Sequence, residues 1–154
     1  MTNTLEVLER VKQFISENIN NYLDENNPFS VKVPKLTKDN IIIDFPDIDK
    51  LPYQNCIYII PDYMELAPQT VCTKIMQQNV KIYIFCKKDQ KDNLIKRAST
   101  YFNALCQVCI KNTTLGGAVN LCELGSADYY PSVSAVSMIA AFEVNLDLKY
   151  IFEI

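Results

Sequence analysis

The sequence predicts an α+β fold, in which two main α-helices, at about residues 4–25 and 91–111, pack on an antiparallel or mixed β-sheet. Apolar residues recur at intervals of three or four in both helical segments. Runs rich in Ile and Tyr lie between prolines, and the chain closes with apolar–polar alternation; both patterns are typical of strands. The order α-β-β-β-α-β-β indicates one α+β layer, and 154 residues suit a single domain over 1–154.

The first helix is predicted from an apolar stripe that would face the core. We expect Thr2 or Thr4 to cap its start, because a hydroxyl oxygen accepts a hydrogen bond from the free backbone N–H groups of a first turn. Pro28 ends the segment, since proline disfavours helical backbone at the residue before it. The stripe consists of Leu5, Leu8, Val11, Ile15, Ile19 and Tyr22.

Residues 28–68 hold six of the seven prolines, which favours short strands and ordered loops over a long helix. The runs NIIIDF and NCIYII are the predicted strands. Residues 69–87 follow as extended structure, either one strand or two pieces with a bend near QQN. There Tyr83 and Phe85 alternate with Ile82 and Ile84, so this strand is expected to be covered on both faces or to lie at a subunit contact.

The second helix has the clearest helical pattern, with Asp89 or Asp92 as the expected cap and an end at Asn112. Its apolar face consists of Leu94, Ala98, Tyr101, Phe102, Leu105 and Cys109. The last strand has the cleanest period of two, which predicts one buried and one wet face. Its apolar set is Phe142, Val144, Leu146, Leu148 and Tyr150.

Composition excludes several classes of function. The net charge of −3 argues against nucleic acid as the main partner, because such proteins usually carry a basic stripe. No window of 18 apolar residues and no signal peptide pattern occur, so we expect no membrane span and reduced cysteines in a cytosolic setting. The absence of histidine removes the common catalytic triads and His–metal sites, so we expect no enzyme, cofactor or metal.

Two motifs carry an alternative chemical interpretation. In NTTLGGAV, residues 112–119, Gly116 and Gly117 would cradle a phosphate only between a strand and a helix. Here a helix comes first, so the glycines are expected to cap it and turn the chain into a strand. In CQVC, Cys106 and Cys109 lie near a helix C-terminus without further zinc ligands, which favours core packing over a metal or redox role.

The tyrosines of DYM and ADYYP, namely Tyr63, Tyr129 and Tyr130, are predicted on loops. Exposed tyrosine is favoured at protein interfaces, because it buries a large area at small cost in conformational entropy. The alternative is that each tyrosine pins its own loop.

The stretch from about Val80 to Tyr150 resembles the tail terminator and tail completion proteins of long-tailed bacteriophages. It runs from the strand VKIYIFCK through a long helix and the turn NTTLGGAV to the acidic–aromatic ADYYP and a final alternating strand. The positions that match the family's turn and loop are Asn112, Thr114, Leu115, Gly116, Gly117, Val119, Asp128, Tyr129 and Tyr130. The resemblance covers about the last half of the chain, and residues 28–68 match no motif.

The resemblance implies a structural virion protein of the phage neck. Such proteins form a ring, typically of six subunits, that caps the tail tube, ends its polymerisation and joins it to the head connector. The implied partners are other copies of the chain, the tail tube protein and a connector or stopper protein, with DNA only passing through the lumen and no membrane. The implied location is the virion, in the tail or neck, after assembly in the host cytoplasm.

A ring needs head-to-tail contacts between unlike patches. We expect these on the exposed faces of the strands at 80–87 and 140–150 and on the tyrosine loops. The interface candidates are Tyr63, Tyr83, Phe85, Tyr129, Tyr130, Glu143 and Asn145, while Asn112, Gly116 and Gly117 form a structural turn. Three alternatives stay open: another neck component such as a head-completion or stopper protein, a small non-catalytic adaptor, and an enzyme that uses cysteines or carboxylates.

Overall fold

The fold is known from a computed structural model, which describes residues 3–28, 31–68, 73–88, 93–130 and 138–153. It confirms the predicted α+β class and order of elements. Helix α1 spans Thr4–Asn18 and continues as a 3-10 turn, Ile19–Tyr22; helix α2 spans Leu94–Lys111. The strands are β1 (Ile41–Ile42), β2 (Asn55–Pro68), β3 (Thr73–Lys87), β4 (Leu121–Tyr130) and β5 (Ile139–Glu153).

The five strands form one mixed sheet in the order β1-β2-β3-β5-β4. β1 is parallel to β2, and the other pairs are antiparallel. β3 is continuous and has no bend at QQN, because both neighbouring strands hydrogen-bond to it there: Gln77 pairs with Glu65 of β2 and with Lys149 of β5. The sheet therefore has its longest strands, β2, β3 and β5, at its centre.

The two faces of the sheet differ in what covers them. α1, α2 and the turn after α2 pack on the face that we call the inner face, where they form the main core. On the opposite, outer face a smaller cluster lies under the segment 43–54. The sheet residues of the main core are Ile41, Ile57, Ile59, Met76, Val80, Ile82, Ile84, Cys86, Cys122, Ala140, Val144, Leu146, Leu148 and Tyr150.

The start of α1 differs from the prediction. Asn3 is the cap, because its Oδ1 accepts a hydrogen bond of 2.8 Å from the backbone N–H of Glu6. Thr4 is already the first helical residue. The buried stripe includes Val7 in place of Leu5, which is 60% exposed, because Val7 lies four residues before Val11 and eight before Ile15, on the side of the helix that packs on the core.

The apolar face of α2 is confirmed, with five of its predicted members buried and Phe102 partly buried. Asp89 and Asp92, the expected caps, lie outside the described residues. Arg97 is buried at 2% exposure on this helix, and its guanidinium donates to the backbone carbonyl of Lys87. Tyr101 likewise donates to the carbonyl of Pro34. These two bonds tie α2 to the end of β3 and to the segment before β1.

The prediction of tyrosine loops is wrong, because Tyr63 lies in β2 and Tyr129 and Tyr130 lie in β4. β2 continues through Pro61, although proline has no N–H to donate. β1 pairs with β2 only at Ile57 and Tyr58, so Pro61 lies on an open strand edge, where no neighbouring strand needs that donor. Both strands contain a register shift, between Pro61 and Met64 and between Leu124 and Ala127. Such bulges break the period of two from which strands are predicted.

Candidate functional site

The outer face of the sheet carries an open groove of about 490 Å³. The segment 43–54 covers only one end of this face, where Leu51 and Ile48 pack on Cys56, Tyr58 and Phe85. Beyond that cover, residues of β2, β3, β4 and β5 form the floor and walls. The lining consists of Phe45, Pro46, Ile48, Ile60, Pro61, Asp62, Lys81, Tyr83, Phe85, Tyr130, Ala141 and Glu143.

A buried carboxylate lies in the floor of this outer groove. Glu143 is 7% exposed, and its Oε1 is 3.1 Å from Nζ of Lys81. The hydroxyl of Tyr130 donates to Oε2 at 2.9 Å. Lys81 lies 3.9 Å from the carboxylate of Asp62 on β2. Strand pairing sets this geometry, because Glu143 of β5 is opposite Tyr83 of β3 in the sheet.

These contacts determine the protonation of the groups. Burial raises the pKa of Glu143, but the hydrogen bonds from Lys81 and Tyr130 and the charge of Lys81 outweigh burial, so that this pKa lies below its usual value. The hydrogen bond and charge of Glu143 raise the pKa of Lys81. The same carboxylate raises the pKa of the Tyr130 hydroxyl, and burial raises that of Tyr83. Glu143 and Lys81 are therefore ionised at neutral pH.

This arrangement suits binding better than proton transfer. A general acid or base needs a pKa near the working pH, and the shifts of Glu143 and Lys81 are both away from neutrality. In the part of the chain that the structure describes, no three His, Cys, Asp or Glu side chains gather to hold a metal ion. The groove offers aromatic and aliphatic surface around the Glu143–Lys81 ion pair, whose charges are already paired with each other.

The cysteine pair of α2 lies away from this groove, on the inner face. A hydrogen bond with Cys122 and burial raise the pKa of the Cys109 thiol, and burial raises that of Cys106. A redox-active pair requires a lowered thiol pKa. The positions of these two thiols thus agree with packing in the core.

The structure brings together four of the predicted interface residues, Tyr83, Phe85, Tyr130 and Glu143. Phe85 is 2% exposed, because it stacks on Tyr83 at 5.7 Å between ring centroids and lies beside the cover of 43–54. It supports the groove from below and offers little surface to a partner.

The other three candidates lie elsewhere. Tyr63 is 62% exposed on β2 and donates to the Glu65 carboxylate at 3.3 Å. Tyr129 faces the inner side, 4.8 Å from the Phe142 ring. Asn145 donates to Oγ of Ser126 at 2.9 Å, which ties β5 to the bulge of β4.

Eight of the twelve groove residues were not predicted from the sequence, and Phe45 and Lys81 are two of them. Phe45 is 79% exposed at the rim, the largest exposed fraction among the large apolar side chains described. Lys81 supplies the cation to Glu143. The sequence pattern does place Lys81 on this face, since it alternates in register with Tyr83 and Phe85 along the same strand. Phe45 had no such signal, because its exposure depends on how the segment after β1 folds over the sheet.

The turn NTTLGGAV does not cap α2 with its glycines. α2 ends at Lys111, and the left-handed residues come later: Leu115 (φ 48°), Gly116 (φ 67°) and Gly117 (φ 89°). A bond from the Leu115 N–H to the Asn112 carbonyl, 2.9 Å, and one from the Val119 N–H to the Thr114 carbonyl, 3.2 Å, close the turn. A Cβ on Gly116 would lie 2.7 Å from the Phe14 ring of α1, so this glycine permits close contact between turn and helix.

Comparisons with known proteins find little similarity. No family model matches the sequence, and no curated protein matches it. Among solved structures, the chain is similar to a chain of a virion of a native gene transfer agent particle, with 8% identity and a TM-score of 0.41. The match covers 88% of this chain and 96% of the other. Within the described ranges, neither helix is long and apolar enough to cross a membrane.

Proposed function

We propose that this chain is a structural virion protein of a phage neck, which forms a ring of six subunits on the end of the tail tube. The ring ends tube polymerisation and joins the tube to the head connector. The protein acts by contact alone, without catalysis, and its partners are its own copies, the tail tube protein and a connector or stopper protein.

The observation that carries this proposal is the incompletely covered outer face of the sheet. Ile60, Tyr83 and Phe45 surround a groove whose floor is fixed by the Glu143–Lys81 pair. Apolar surface around a rigid polar centre is typical of a protein contact site, where aromatic residues supply area and buried polar groups set the orientation.

A closed ring also needs a second, unlike patch on each subunit. The exposed side of α2 supplies one on the opposite side of the sheet, with Ile95 62% exposed and Ile110 64% exposed. One of them lies near each end of the 18-residue helix, and Asn103 is exposed between them. The groove of one subunit and the α2 surface of the next are the two halves of the proposed contact.

Charge fits a lumen that DNA crosses without binding. The chain has a net charge of −3, and acids outnumber Lys and Arg by 18 to 15. A weakly negative inner surface would repel the DNA backbone and favour free passage. A strongly basic inner surface in the assembled ring would contradict this part of the proposal.

The test is the assembly state of the purified chain alone and beside tail tubes. Analytical ultracentrifugation over a range of concentrations should show a species of six times the 17.6 kDa subunit mass, and electron microscopy should show it at tube ends. A protein that stays monomeric even on tail tubes would overturn the ring. A ring located elsewhere in the neck would instead indicate a stopper or head-completion protein.

A matched pair of variants tests the outer groove. Tyr130 and Tyr53 are both 39% exposed, but only Tyr130 lines the groove. We expect Tyr130→Ser to weaken assembly about ten-fold or more, as for an aromatic residue at an interface centre, and Tyr53→Ser to leave it unchanged. Equal assembly of the two variants would show that the groove is not the contact.

A further inference from the structure

One long edge of the sheet has no neighbouring strand among the described residues. β1 pairs with β2 only at Ile57 and Tyr58, so the outward backbone groups of β2 beyond Tyr58 face no other described strand. Residues 61–66 are all exposed, and three large apolar side chains, Tyr63, Met64 and Leu66, are 49–62% exposed among them. Free N–H and C=O groups beside apolar side chains are a template for another strand.

Two grooves flank this edge, one on each face of the sheet. The outer groove has been described above. An inner groove of about 280 Å³ lies between the start of α1 and β2, with Leu5 and Met64 in its lining. Phe45, Ile60 and Pro61 line both grooves. Side chains of an added strand would alternate between the faces, so each set would have a groove to enter.

The side chains of β2 along this edge also differ between the faces. Met64 and Leu66 are paired with Gln78 and Met76 of β3, which point to the main core, so they lie on the inner face. Glu65 pairs with Gln77 on the outer face. Asp62 lies on the same outer face, since its carboxylate approaches Lys81.

We propose that the edge of β2 from Asp62 to Ala67 binds an extended segment of a different protein as an additional strand. That segment carries apolar side chains at one set of alternate positions, beside Met64 and Leu66, and basic side chains at the other, beside Asp62 and Glu65. Backbone hydrogen bonds supply affinity, and the cross-strand pairs supply specificity. This inference does not depend on the ring.

A second copy of this chain is a poor occupant of the same edge. The other free edge of the sheet is β4, which carries Glu123 and Asp128 on its outer face. Pairing β2 of one copy with β4 of another would place acids beside acids, and pairing two β2 edges would do the same. Like charges directly opposite each other destabilise strand pairs. A basic partner strand removes that repulsion.

The edge also has features that exclude indiscriminate pairing. Pro61 lacks a donor, and the bulge between Pro61 and Met64 interrupts the regular spacing of donors and acceptors. With the acids at 62 and 65, these features would leave only a short, charged stretch open. They therefore restrict the edge to partners with the matching pattern.

The test uses a fluorescent ten-residue peptide of alternating Val and Lys, with its binding to the purified chain followed by fluorescence anisotropy and amide NMR. We expect binding that perturbs the amides of residues 62–67. A peptide methylated at every second backbone nitrogen, on the side facing the protein, should not bind, because strand addition needs those N–H groups. An alternating Val–Glu peptide should not bind either.

Charge reversal provides the matched control. Glu65→Lys on the β2 edge should weaken binding of the Val–Lys peptide about five-fold, while Glu123→Lys on the β4 edge should leave it unchanged. Equal weakening by both variants, equal binding of the methylated peptide, or perturbation of β4 amides would overturn the proposal. Protection of the β2-edge amides by self-association in the absence of peptide would also overturn the proposal. A monomer that binds the peptide would support this site while removing the ring.

Discussion

The two faces of this sheet share their strands but not their environment. On the inner face, α1 and α2 bury Ile82 and Ile84 completely or nearly so. On the outer face, Tyr83 between them is only partly covered and borders the groove. Neighbouring residues on one strand thus have different environments, since the period of two points one side chain into the core and the next toward the groove.

The faces also differ in how they accommodate polar groups. Inside, single polar side chains bind to fixed partners, as Tyr150 does when it donates to Gln78 at 2.8 Å. Outside, a full charge is retained beside apolar groups because Lys81 and Tyr130 hydrogen-bond to Glu143. The inner arrangement closes a core, whereas the outer one holds an ion pair in the floor of an open groove.

The strongest test of this contrast compares Ile82→Ala with Tyr83→Ala. Ile82 has 0% exposure, so the variant should lose about 2–5 kcal/mol of unfolding free energy through lost burial and a cavity. Tyr83→Ala should lose only about 1 kcal/mol, because its ring is half-covered. Urea denaturation followed by circular dichroism measures both. Similar losses would show that the outer face contributes as much to stability as the inner one.

The next effect is expected where the turn at 115–117 closes over α1. Gly117→Ala should cost about 1–2 kcal/mol, the penalty of a left-handed backbone, because no atom lies within 4 Å of the added Cβ. Gly116→Ala should cost about 1–3 kcal/mol more, since its Cβ would overlap the Phe14 ring.

The double variant Gly116→Ala with Phe14→Ala separates the two causes for Gly116. If the clash with the ring is real, the cost of Gly116→Ala should fall to that of Gly117→Ala once Phe14 is truncated. An unchanged cost in the Phe14→Ala background would attribute the whole effect to the backbone. Thermal unfolding of the four proteins, each compared with its own parent, supplies the measurement.

The smallest effect concerns the outer ion pair and its pH dependence. Because the pKa of Glu143 is lowered in the folded chain, its ionised form stabilises the fold above its usual pKa near 4.5, and this stabilisation is lost as the pH falls through the lower folded value. Lys81, whose pKa is raised, stays protonated throughout this range. The advantage of the native chain over Glu143→Gln should therefore shrink between pH 5 and pH 3.

Urea midpoints of both proteins at several pH values check this. A difference that stays constant from pH 7 to pH 3 would mean that the charge of Glu143 does not contribute to folding. Salt is a second control, because a partly exposed pair such as this one should weaken when ionic strength rises.

Much of the fold could be predicted from the sequence because local periodicity reports which side of an element is buried. The α2 face and the β5 alternation are examples, since both depend on a single regular spacing. The start of α1 was less predictable. Asn3, Thr2 and Thr4 all have side chains that can cap, and the choice depends on how α1 docks on the sheet.

The groove was predictable only in part. The sequence predicts three of its residues as interface candidates, namely Tyr83, Tyr130 and Glu143. The prediction depends on the pattern of the two strands and on the preference of protein interfaces for tyrosine. The meeting of the three residues depends on β5 lying between β3 and β4, a long-range pairing that periodicity does not report. The position of Tyr129 was missed for a related reason, because the bulge at Leu124–Ala127 reverses the faces of the residues that follow.

The placement of β5 has a kinetic consequence. β2 and β3 adjoin along the chain and can form a hairpin early, and β4 and β5 also adjoin, but β5 pairs with β3 across the whole of α2, with Lys87 paired to Ile139 and Lys74 to Phe152. Such distant pairings require large loops to close before they are stabilised, which slows folding. Until β5 arrives, the inward edge of β3 is open to any passing strand, so the growing chain is most prone to aggregate before its last strand is in place.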